Sequence, residues 1–246
     1  MTSEPGASPF GDLTRRDALR KAAVGAGVAG AAWAAPQILS LDAAAAQSCV
    51  PGTLDWDSFS TGATFTSTVI NGITVTLSIS ALAGTTLAPL NGTIRDAPNG
   101  GINQKGLYLG MDSSGPGVGE DVTFTFSVPV SNISFTLTDL DNLIGGANTG
   151  WADRVQVLTP GYTSSIPGTF TPATPAGNVI GAGTGANPFR NSNTNFNYPK
   201  TSNRGNVTIN YAGPISSFSY RYYQSPTDDD GSSLMLITMM DLSWTC

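Results

Sequence analysis

Histidine is absent from all 246 residues, and that gap removes a large part of enzyme chemistry. A Ser-His-Asp or Cys-His nucleophile cannot be assembled, and neither can a zinc or copper site built on imidazole. Cysteine occurs only twice, as Cys49 and Cys246, and charged residues make up 11% of the chain. Beyond residue 46 the only glutamate is Glu120. No Gly-rich loop stands between a strand and a helix, so nucleotide binding has no support. Past the first fifty residues no amphipathic helix competes with the strand patterns, and no segment is apolar enough to cross a bilayer. Residues 47–246 hold 7 Lys/Arg against 13 Asp/Glu, a charge of −6, which argues against a nucleic-acid partner. Abundant Thr, Ser, Asn and Gly point to a neutral polar surface of the kind common in secreted β proteins.

The first fifty residues have a different character. A basic cluster, Arg15, Arg16, Arg20 and Lys21, precedes an uncharged Ala/Gly-rich run from Ala22 to Ser40, which is the layout of an export signal. The run Thr14-Arg15-Arg16-Asp17-Ala18-Leu19-Arg20-Lys21 resembles the twin-arginine motif, although Ala18 stands where a Phe is commoner. Small residues from Asp42 to Ala46 suit cleavage after Ala46, giving a signal peptide at 1–46 and a secreted domain at 47–246. The alternative is an anchor retained over Ala22–Leu41, nearly long enough to span a membrane. Two thiols near the ends of an exported domain suggest a Cys49–Cys246 disulfide; independent thiols or a linked dimer are the alternatives.

Alternation with period two dominates the remainder. Val122, Phe124, Phe126 and Val128 interleave with Thr and Ser, as do Ile133, Phe135 and Leu137, each run giving one buried and one wet face. With Pro129 between them, the two runs read as an antiparallel hairpin. A second hairpin joins Thr64–Ile70 to Ile73–Ser80 through Asn71-Gly72, the pair best suited to positive φ in a type I′ turn. Further strands are expected at Gly106–Met111, Asp153–Thr159, Asn206–Tyr211, Ile215–Tyr223 and Ser233–Trp244. Between Pro160 and Arg204 the chain is dense in Pro, Gly, Asn and Thr and reads as irregular. The fold class implied is all-β, an antiparallel two-sheet sandwich of jelly-roll type.

Several of these stretches carry a resemblance: Asp121–Val130, Ser134–Asp141, Asp153–Val157, Gly205–Ile209 and Gly213–Tyr220, where a Gly-Pro turn links two strands. Together they are similar to a lectin-like β-sandwich module of bacterial surface and secreted proteins. The resemblance implies a sandwich at the cell surface and assigns no ligand.

The remaining chemistry lies in carboxylates and rings. Asp139, Asp141 and Asn142 stand where a strand enters a Gly-rich loop and Asp153 starts the returning strand, so their oxygens could converge on a structural calcium ion. The alternative is that these residues cap turns through their own backbone. Asp228-Asp229-Asp230 reads as a solvated turn. Trp151, Tyr198, Tyr220, Tyr222 and Tyr223 could cover the apolar face of a sugar while amides and hydroxyls bind its rim. Tyr220 and Tyr222 share one strand face and Tyr223 the other, so at least one set is expected to be buried. The expected function is a non-catalytic extracellular or cell-surface module binding a glycan or cell-envelope component, with no nucleic-acid partner and no membrane span after cleavage. The rivals are a secreted Asp-dependent polysaccharide hydrolase and a structural envelope protein.

Overall fold

A strand every few residues and almost no helix is what the period-two pattern dictates, and it is what the described residues form. The computed structural model describes residues 49–113, 117–143, 150–170, 177–192, 195–225 and 233–246. The segment 1–46, expected to be a signal peptide, and the Asp228–Asp230 run lie outside the described residues. In chain order the strands are β1 (Gly52–Leu54), β2 (Ser67–Ile70), β3 (Ile73–Ala81), β4 (Thr86–Leu87), β5 (Ile94–Arg95) and β6 (Gly106–Ser113). Then follow β7 (Gly119–Thr138), β8 (Asn142–Leu143), β9 (Trp151–Val157), β10 (Tyr162–Ser165), β11 (Val179–Ile180) and β12 (Arg190–Asn191). The last are β13 (Asn195–Phe196), β14 (Val207–Tyr211), β15 (Ile215–Gln224), β16 (Ser233–Met239) and β17 (Leu242–Thr245).

The first hairpin forms as the sequence dictates. Asn71 and Gly72 take φ of 51° and 81°, and Ile70 pairs with Ile73.

The second does not form. β7 runs unbroken for 20 residues through Pro129, where a turn was expected. Its first half pairs with β3 and β15, and its second half with β14, β16 and β17. The inward positions are even up to Val130 and odd from Ile133. That change of phase marks where the strand leaves one layer for the other, at Ser131 and Asn132, the latter at φ 48°. Pro129 is tolerated because ladder pairing is irregular there: the register of β15 against β7 shifts between Ile215 and Ser217, and the exposed ring sits at that shift. The expected Ser233–Trp244 strand is likewise two strands, β16 and β17.

β7 thus belongs to two antiparallel layers. One is ordered β2–β3–β7–β15–β9, with β8 and β13 beyond β9. The other holds β10, β14, the second half of β7, β16 and β17, with β6 beyond β16 and β1 on β17. Their inner faces meet in rings: Phe218 of β15, stacked on its neighbour Phe124 in the same layer at 5.3 Å, stacks across on Phe135 at 4.7 Å, and Phe126 meets Trp244 edge-on at 5.5 Å. Burying each such side chain contributes roughly 1.5–3 kcal/mol, so this ring cluster is a main source of cohesion between the layers.

The chain ends close on one another. Cys49 and Cys246 are disulfide-bonded, their Cα atoms 5.4 Å apart. Beside them Gly52 lies against the Trp244 indole, where a Cβ would come within 2.4 Å of Cζ2. Glu120 of β7 is fully buried, accepts a hydrogen bond from the Asn91 amide at Oε2, and has no partner at Oε1 among the described residues.

Candidate functional site

At one end of the sandwich β7, β9 and β15 bring three acids together. Leaving β7, Asp139 takes φ 72°, a conformation Asp tolerates better than most residues. Leu140 then turns inward and donates its N–H to the Gly205 carbonyl at 3.1 Å. A Cβ at Gly205 would lie 2.9 Å from the Leu140 nitrogen, so only glycine permits this approach.

Asp153, on β9, is fully buried. Its Oδ1 accepts from the Tyr222 hydroxyl at 2.6 Å and its Oδ2 from the Asp141 N–H at 2.9 Å. Asp141 is 4% exposed; Oδ1 accepts from the Trp151 indole Nε1 and Oδ2 from the Tyr198 N–H at 3.0 Å. Asp139 is more open and pairs with Arg95 at 3.2 Å. The same Arg95 nitrogen donates to Thr238 Oγ1 at 3.1 Å, with the guanidinium 5.7 Å above the Tyr108 ring.

Desolvation governs how these acids ionise. Burial pushes the Asp141 carboxyl up to about 7, the nearby Asp139 charge adds to this, and the donated hydrogen bonds oppose it. Asp153 is raised well above the usual carboxylate range, by burial first and by the Asp141 charge second. Burial also raises Asp139, against the lowering influence of Arg95. The cluster therefore carries less negative charge near neutrality than three carboxylates in water.

A cleft of about 310 Å³ opens over this cluster. Trp151 and Tyr198 supply rings, and Arg95, Asp139, Asp141, Asn197 and Lys200 supply polar groups. Leu234 and Leu236 of β16 form an apolar wall.

Five of the expected site residues thus converge, namely Trp151, Tyr198, Asp139, Asp141 and, one layer below, Asp153. Trp151 is partly exposed and begins β9 instead of lying in the loop before it. Tyr198 lines the cleft though it is only 3% exposed, its hydroxyl donating to Asn191 Oδ1 at 2.9 Å. Tyr220 and Tyr222 do not serve as ligand platforms. They face the core at 1% and 0% exposure, Tyr220 packing on Phe135 and Tyr222 holding Asp153. Tyr223 is on the outer face of β15, half-buried, and does not line the cleft.

For the metal ligand set, Asn142 is buried in β8 with its side-chain oxygen unpartnered among the described residues. Among the described residues no group of three or more His, Cys, Asp or Glu has the spacing to hold an ion. All four oxygens of Asp141 and Asp153 face protein donors.

Sequence reasoning missed Arg95, Asn197, Lys200, Leu234 and Leu236. They come from three separate stretches, and no local pattern links them. No family model, curated protein or solved structure matches this chain.

Proposed function

We propose that residues 47–246 are a non-catalytic extracellular or cell-surface module, exported by the twin-arginine route. In this reading the sandwich is of jelly-roll type and binds a glycan or another cell-envelope component in the cleft beside Trp151. The observation that supports this best is the mixed lining: a partly exposed indole and an apolar Leu234/Leu236 wall beside amide, ammonium, guanidinium and carboxylate groups. Sugars need that combination, since their C–H faces pack on rings while their hydroxyls take hydrogen bonds around the rim. A glycan-array screen of the purified chain tests it. Binding that is lost in Trp151→Ala, with the fold retained by circular dichroism, is the expected result, and silence across the array counts against it.

A second reading has one observation in its favour. Asp139 and Asp141 both line the cleft, and a carboxyl raised to about 7 is in the range of a general acid. Against it, both Asp141 oxygens accept from protein donors and Asp139 is tied to Arg95. Release of reducing ends from an array hit, abolished in Asp141→Asn, would favour the hydrolase.

A further inference from the structure

The hydrogen-bonding groups that the cleft leaves for a ligand are mostly donors. Of its two acids, Asp141 accepts at both oxygens, from Trp151 and Tyr198, and Asp139 accepts from Arg95 at Oδ2, its charge countered by that guanidinium. Its cations are less committed. The exposed Lys200 ammonium has no side-chain partner among the described residues, and Arg95 uses Nη1 alone on Asp139 and Thr238. The exposed Asn197 amide adds further donors. A donor-rich wall beside an indole fits an acceptor-rich anion carried on a ring.

We propose that the cleft selects sugars bearing a carboxylate, with Lys200 as the principal anion contact, Arg95 and Asn197 assisting, and the sugar face against Trp151. This rests on the glycan-binding reading above and names the ligand class. The chain's charge of −6 repels long polyanions, so the preferred ligand is a short acidic oligosaccharide or a terminal acidic sugar.

Calorimetry of the purified chain with matched probes tests this: trigalacturonate against galactotriose, and 3′-sialyllactose against lactose. Hydrogen bonds to a charged group are the stronger class, so the acidic member of at least one pair should bind about tenfold tighter or better. The two pairs separate uronic from nonulosonic acids. Raising salt from about 0.02 to about 0.3 M should shrink the preference. Lys200→Gln should bring the acid-to-neutral ratio close to one, and Lys200→Arg should restore much of it. Equal affinities within both pairs would overturn the acidic class while leaving glycan binding intact. An acid preference that survives Lys200→Gln would overturn the assignment to this cleft. No binding of any probe, together with a silent array, would remove both readings.

Discussion

Replacing Glu120 by Gln isolates the cost of one buried charge. Burial raises this carboxyl from 4.5 to about 8, and the Asn91 amide offsets only part of that. Between those two values the folded protein holds a proton that the unfolded chain releases, so this group makes stability fall as pH rises from about 4.5 to about 8 and level off above. At about 1.4 kcal/mol per tenfold change in proton affinity, the full cost approaches 5 kcal/mol at alkaline pH and is close to zero below pH 4.5. Glutamine is uncharged throughout and keeps an oxygen for Asn91, so Glu120→Gln should lack this slope. In urea denaturation at about pH 8.5 the variant should be roughly 2–5 kcal/mol more stable than the parent, and at about pH 4.5 within roughly 1 kcal/mol of it. Indole fluorescence is a suitable probe, since Trp56 and Trp244 are buried. The other buried acids titrate in both proteins, so the difference reports Glu120 alone. A stability difference that is the same at both pH values would refute the reasoning.

Trp151→Phe keeps a ring in the cleft but removes the donor to Asp141 Oδ1. Leaving that buried acceptor unpaired should cost about 1–3 kcal/mol in urea unfolding, and no loss would mean the bond contributes nothing in solution. The double change Cys49→Ser with Cys246→Ser opens a loop with a sequence separation of 197, for which chain entropy gives a loss of about 5 kcal/mol at most. The urea m-value should rise as the unfolded chain expands; a melting midpoint within about 3 °C of the parent would show that the bond is marginal. Because the oxygens of Asp141 and Asp153 already face four protein donors, chelator and added calcium should each leave the midpoint within about 1 °C. A rise of several degrees with calcium would restore Asp139, Asp141, Asn142 and Asp153 as its ligands.

Local features were legible in the sequence wherever a single short stretch decided them. Asn71-Gly72 fixes its turn because both residues accept positive φ. Alternation separates Tyr220 and Tyr222 from Tyr223 on β15, but only the packing of that strand against the other layer decides that the first pair is the buried one. β7 misled because Pro129 looks like the end of a strand. The decisive sign was the change from even to odd apolar positions, which a hairpin and a strand crossing between layers both produce. At the cleft, the Asp139–Asp141 segment and Trp151 stood out, since acids and a ring at strand ends need a reason. Lys200 and Arg95 did not, because only the fold brings them near Asp141, and each is an unremarkable surface cation in its own stretch.

The closure at Cys49 and Cys246 also has a mechanical meaning. Tension entering the chain at one cysteine and leaving at the other crosses a single covalent link between Cα atoms 5.4 Å apart. The strand ladders between them then carry none of the load. While oxidised, the domain behaves as a knot of almost no extensibility. Once reduced, the same pull would peel β1 from β17, where Gly52 opposes Trp244 and Leu54 opposes Leu242. It could then pay out a contour of roughly 3.4 Å for every residue released.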